Sequence, residues 1–265
     1  MPAEDVDDVI EALGAVIDEA RATSHRRGYF AAMYQAMTRA VGGQIAAGAF
    51  DDGPRMSRFV AVFASRYLDA LATYRAGGRP TRVWRACFQC NERHDRLILQ
   101  HLVMGINAHI NLDLGVAAAE VAEGSDIQSL KGDFNRINAV IGSLLDPVQE
   151  AVGRFSPLLD LLWRVGNQPD DEILGFSFGA ARDQAWMHAV LLWGERPEDR
   201  AATIDVFDRS AAVLGRMVSD PGGILGDAVS IVRYTERDDV PAVIDALAAL
   251  TLPVPGTELP PAAYP

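Results

Sequence analysis

His94, His101, His109 and Asp113 fall within one strongly apolar stretch, NERHDRLILQHLVMGINAHINLDLG, residues 91–115. Imidazole nitrogen and carboxylate oxygen are the usual donors to zinc, iron or manganese, and the same groups move protons. Drawn as one continuous helix turning about 100° per residue, with His101 at zero, His94 falls near 20°, Gly105 near 40°, His109 near 80° and Asp113 near 120°. The four polar side chains then share a broad face. His109 and Asp113, four residues apart, can meet directly. Gly105 lies among them without a side chain, which leaves room for something to approach. Asn107 and Asn111, also four apart, point to the other side and need partners if buried.

Further candidates lie downstream. Asp133 and Asn138 stand in the run GDFNRIN, and Arg182, Asp183 and His188 in ARDQAWMH. A helical bundle can donate ligands from several facing helices. His101, His109, Asp113 and His188 are therefore the expected ligands of a divalent metal ion, zinc or iron. Asp133 or Asp183 would be a further ligand or a general base acting on a metal-bound water. Asn107, Asn111, Asn138 and Arg182 are supporting polar residues. The competing reading of each histidine is a hydrogen-bonded core residue. The spacing H-x7-H-x3-D is no established zinc signature and is not H-E-x-x-H.

Two other motifs carry less. Cys87-Phe-Gln-Cys90 has the C-x-x-C form, but a redox site of that kind belongs in an α/β setting, so buried packing is expected. Gly175-Phe-Ser-Phe-Gly179 has the form of a nucleophile elbow, which requires a strand-to-helix turn. In helical surroundings it is a chance match, leaving Ser177 a remote nucleophile with His188 as its base.

The elements that must position these residues are helical. Val6, Val9, Ile10, Leu13, Val16 and Ile17 recur at three-and-four spacing. A second helix carries Phe30 to Val41 and is interrupted or ended by Gly42-Gly43. A third carries Phe59 to Leu71 and stops at Gly77-Gly78. Residues 81–121 are too long for one average helix, and Gly105, Asn107 and Gly115 are the expected break points. Ser125 or Asp126 caps a helix carrying Phe134 to Ile141. Another runs from Leu158 to Val165. Pro169 opens a helix reaching Trp193, on which Trp186 and Trp193 share a core-facing side. Pro197 opens one that buries Ile204, Phe207, Leu214 and Met217. Residues 222–226 are a loop, and a short helix spans 241–250. No strand pattern or repeat is present. The expected fold is all-α: one helical domain, residues 1–252, a bundle of about eight to ten helices, followed by a proline-rich tail, 253–265.

The formal charge of −12 repels a phosphate backbone, which excludes nucleic acid as a ready partner. The acidic start MPAEDVDD is not a secretory signal, and no run of about 18 uninterrupted apolar residues predicts a membrane span. With two cysteines and no disulfide framework, a cytoplasmic location is expected. The expected partner is a small-molecule substrate or ligand. The sequence sets no oligomeric state.

The strings LILQHLVMGINAHINLDLGVA, GDFNRIN and RDQAWMHAVLL together resemble an uncharacterised bacterial family of unknown function, DUF5995, from about Ala31 to Trp193 and beyond. The resemblance implies a shared fold and no established activity. It directs attention jointly to His101, Asn107, His109, Asn111, Asp113, Asp133, Asn138 and His188. A looser similarity, to zinc-dependent phospholipase C and related helical nucleases, rests on fold class and ligand types, because their H-x-x-G-D-x-H-x-P-x-H run is missing. Three readings stand: a metal-dependent hydrolase; a non-catalytic helical protein that binds a small apolar ligand or a partner, its polar cluster structural; and an iron- or haem-dependent oxygenase.

Overall fold

The computed structural model describes residues 3–143, 145–166 and 178–251, and among these no strand occurs. Thirteen α-helical segments follow one another: α1 Val6–Ala22, α2 Arg27–Ala46, α3 Gly53–Arg75, α4 Arg82–Asn91, α5 Ile98–Ala108, α6 Gly115–Val121, α7 Lys131–Gly142, α8 Leu145–Gly153, α9 Leu159–Gly166, α10 Phe178–Gly194, α11 Pro197–Ser219, α12 Gly223–Thr235 and α13 Val240–Ala248. A π-helical turn, His109–Leu114, joins α5 to α6. The three form one rod, so the described residues hold twelve helical rods, slightly more than expected. The Pro169 helix start, Ser177 and the 253–265 tail lie outside the described residues.

The rod Ile98–Val121 is long and apolar enough to cross a membrane, with mean hydropathy 1.3, but 89% of that window is buried by other helices. It is the central core helix. α2, α4 and α11 pack on α5; α3, α10 and α11 reach the π-turn; α3 and α10 flank α6. Glu236, at the end of α12, accepts the Ile98 N–H at 3.0 Å and fixes the start of the rod.

Several sequence expectations are corrected. His94 is not on the rod. α4 ends at Asn91, residues 92–97 form a loop, and Arg26 donates to His94 Nδ1 at 2.8 Å while Arg233 donates to the His94 carbonyl. α2 runs through Gly42-Gly43. A Cβ at Gly42 would stand 2.8 Å from Val6 Cγ1, so this glycine lets α1 lie close against α2 rather than ending the helix. Residues 223–235 are helical, not a loop. On α11, Leu214 and Met217 are exposed. The buried side is Phe207, Asp208, Ala211, Ala212 and Gly215. Trp193 is partly exposed and donates to the Ser125 carbonyl at 2.9 Å.

Candidate functional site

The π-turn brings His109 and Asp113 together at the centre of the molecule. Such turns insert one residue into the α-helical ladder, shift its register, and recur at functional sites. The His109 Nδ1–H donates to Asp113 Oδ2 at 3.3 Å, and both residues are almost wholly buried. Asp113 also accepts from Trp84 Nε1 at 2.8 Å and from Arg66 Nε at 3.0 Å. The His109 ring stacks on Phe63, centroids 3.6 Å apart, and meets the edge of Tyr34 at 4.5 Å. With Nδ1 holding the proton, Nε2 is a bare acceptor, and neither it nor the Tyr34 hydroxyl has a partner among the described residues. Burial pulls the His109 pKa down, although Asp113 acts to raise it, and pushes the Tyr34 phenol well above its ordinary value.

A neutral imidazole oriented by a carboxylate, with Nε2 free, is the arrangement of a general base. Here it is closed over by aromatic rings. The room expected beside Gly105 is filled: a Cβ there would stand 2.4 Å from the ring of Phe30.

His101, two turns back along the rod, has separate surroundings. Its Nδ1–H donates to Asn91 Oδ1 at 3.3 Å, Cys90 Sγ lies 3.8 Å away, and the Tyr29 edge faces the ring. Nε2 again lacks a partner, and burial takes its pKa down to about 3. Cys87 and Cys90 are both buried, with their thiol pKa values raised by that burial.

The remaining candidates are elsewhere. Asp133 is fully buried but occupied: it accepts the N–H groups of Asp51 and Asp52 at 2.8 and 3.0 Å and the Arg136 guanidinium at 2.6 Å. It thereby ties the α2–α3 connection to α7, with both carboxylate oxygens engaged. Asp183 is exposed on α10, where its charge acts on Lys131. His188 is stacked on Phe207 of α11 at 3.5 Å, and burial lowers its pKa against the opposing effect of the Asn111 carbonyl. Asn111 donates to Asn107 Oδ1 at 2.8 Å, and Asn107 donates to the Ala211 carbonyl at 2.9 Å, which locks the rod to α11. Arg182 is half-buried on α10, and the side chain of Asn138 is outside the described set.

The four expected ligands thus occupy three environments. Among the described residues no group of three or more His, Cys, Asp or Glu side chains is placed to hold a metal ion. Asp113 has its oxygens committed to Arg66, Trp84 and His109, and the His109 and His101 Nε2 atoms have no partner among the described residues. The donor set does not fit a divalent metal centre.

Sequence reasoning missed Arg66, Trp84 and Tyr34, which complete the His109–Asp113 cluster. Arg66 carried a signal. It follows Phe59 and Phe63 at seven and three residues, on the apolar face of α3, where a charge needs a buried partner.

A family model described as "Family of unknown function (DUF5995)" matches residues 6–221, most of the chain. The chain belongs to the DUF5995 family. No curated protein and no solved structure matches it. The DUF5995 span contains the whole His109–Asp113 cluster, including Tyr34, Phe63, Arg66 and Trp84, and ends before α12.

Proposed function

We propose that this DUF5995 chain is a non-catalytic helical protein that acts by association through the apolar outer side of α10, α11 and α12, with a second copy of itself as partner. The observation that carries this is the placement of its exposed large apolar side chains. Met187 and Leu191 lie on α10, Val206, Val213, Leu214 and Met217 on α11, and Ile224, Ile231 and Tyr234 on α12. Single exposed apolar residues are ordinary, but these follow helical seams. On α11, positions 206, 210, 213 and 217 step by four, three and four, with Ser210 the polar member. On α12, positions 224, 227, 231 and 234 step by three, four and three, with Asp227 the polar member. Such spacing is what one helix offers another.

α11 therefore has two apolar sides. Phe207, Ala211 and Gly215 face α4 and α5, and the 206–217 seam lies roughly opposite. The α10 and α11 portions approach each other at the His188–Phe207 stack, whose centroids are 3.5 Å apart. Ile224, 73% exposed, follows the end of α11 after one short turn. An interface between two copies that use the same patch is self-complementary and closes at two. Under this reading the buried bonds that Asp113 accepts from His109, Trp84 and Arg66 fix the register of the rod. Sedimentation velocity over a concentration series tests it. A two-copy species is expected at tens of micromolar, and a monomer throughout that range overturns it.

The unpartnered His109 Nε2 favours a second reading, in which Asp113 holds His109 as a general base. Substrate would then enter by α3 opening away from the π-turn. Backbone amides of 109–114 would exchange with deuterium much faster than the Leu97–Met104 segment; equal protection of the two segments contradicts it.

A further inference from the structure

An open cleft of about 490 Å³ lies between the α3–α4 connection and α11, and none of its lining residues belongs to the His109 cluster or the apolar seams. Its charge pattern runs against the molecule. The chain carries −12, yet Arg79, Arg82 and Arg85 line this cleft against two acids, Asp205 and Asp208. Both acids are turned to internal work. Asp208 is buried and caps α4, accepting the Arg82 and Val83 N–H groups at 2.8 and 2.9 Å. Asp205 is held by Arg82 and Arg209. Arg82 is accordingly neutralised.

Arg79 and Arg85 are exposed, and neither has an acceptor among the described residues, although most arginines of this chain pair with a carboxylate. The Thr81 hydroxyl, at the edge of the lining, is buried and has no partner among the described residues. Two free guanidinium forks around one concavity suit a tetrahedral oxyanion, because guanidinium donors match phosphate oxygens two at a time.

We propose that this cleft binds a phosphate-bearing small molecule, with Arg79 and Arg85 as the groups that grip the phosphate. The site is independent of the association reading, since it shares no residue with the seams. Inorganic phosphate and pyrophosphate are suitable probes, titrated by calorimetry into three proteins. These are the wild type, the Arg79→Ala/Arg85→Ala variant, and an Arg39→Ala/Arg58→Ala variant that loses the same charge at two other exposed arginines with no acceptor among the described residues.

The expected result is saturable pyrophosphate binding by the wild type and the Arg39/Arg58 variant, and at least about tenfold weaker binding by the Arg79/Arg85 variant, as the loss of two charge-assisted contacts predicts. All three should share one melting temperature without ligand, because the replaced side chains are exposed. Absence of binding to the wild type overturns the proposal. So does an equal loss in both variants, which would be a general charge effect, or binding of citrate as tight as pyrophosphate, which would assign the cleft to polycarboxylates.

Discussion

Asp113 takes three donors at once, from His109, Trp84 and Arg66, in surroundings that offer few other acceptors. Truncating it strands two ring N–H groups in the core and leaves the partly exposed Arg66 guanidinium without its carboxylate. Asp113→Ala should therefore cost about 3–5 kcal/mol, the range for breaking a buried ion pair. Urea unfolding measures this, and a loss below about 1 kcal/mol would mean the cluster is not structural. His101 makes a second prediction. Its folded pKa is about 3, well below its ordinary value, so as pH falls below about 6.5 the unfolded chain takes up a proton that the folded chain refuses. The stability held above that pH is lost on acidification, by about 2 kcal/mol from this residue at pH 5. His101→Asn should flatten the pH dependence of the melting temperature between pH 7 and 5; an unchanged slope contradicts it. At this scale the sequence revealed the His109–Asp113 pair, because contacts four apart on a helix follow from spacing alone. It did not reveal that Asp133 serves the Asp51–Asp52 backbone, since that contact spans more than eighty residues and leaves no local pattern.

The helices show where local pattern suffices and where packing overrides it. The start of α11 was readable from its proline-led first turn, and the end of α3 from Gly77, whose φ is +74°. The break at 92–97 was not. It contains neither glycine nor proline and is held by Arg26 and Arg233 from distant segments. Nor was the π-turn, whose residues are ordinary helix formers. Glycines make the clearest prediction at this scale. Gly105→Ala pushes a methyl into the Phe30 ring and Gly115→Ala pushes one to 2.6 Å from the Ala185 carbonyl, where backbone must move. Each should lose about 1–3 kcal/mol or more. Gly43→Ala, on the same kind of helical backbone with nothing within 4 Å, should gain about 0.4–1 kcal/mol. Thermal denaturation of the three variants distinguishes these signs, and a neutral Gly105→Ala would mean that Phe30 is not locked in place.

Across the whole molecule, all-α architecture was legible because three-and-four periodicity pervades the chain. The division of α11 into an inner and an outer apolar side was not, because both stripes have the same spacing and only the neighbours decide which is covered. Met217, read from the sequence as core, is instead part of the exposed seam, and Leu214 is exposed as well. That reassignment underlies the claim that this DUF5995 chain works by pairing. A −12 charge on each copy opposes association, so pairing should strengthen as salt rises and screens that repulsion. The most direct measurement is the molar mass in solution, by light scattering during size-exclusion chromatography, of the wild type and of Val213→Asp/Ile231→Asp. Both substituted side chains are about half exposed, so the fold should survive the change. The account predicts twice the chain mass of 28.6 kDa for the wild type and a single chain mass for the variant with an unchanged melting curve. A wild type that elutes at one chain mass, or a variant that still pairs, would contradict it.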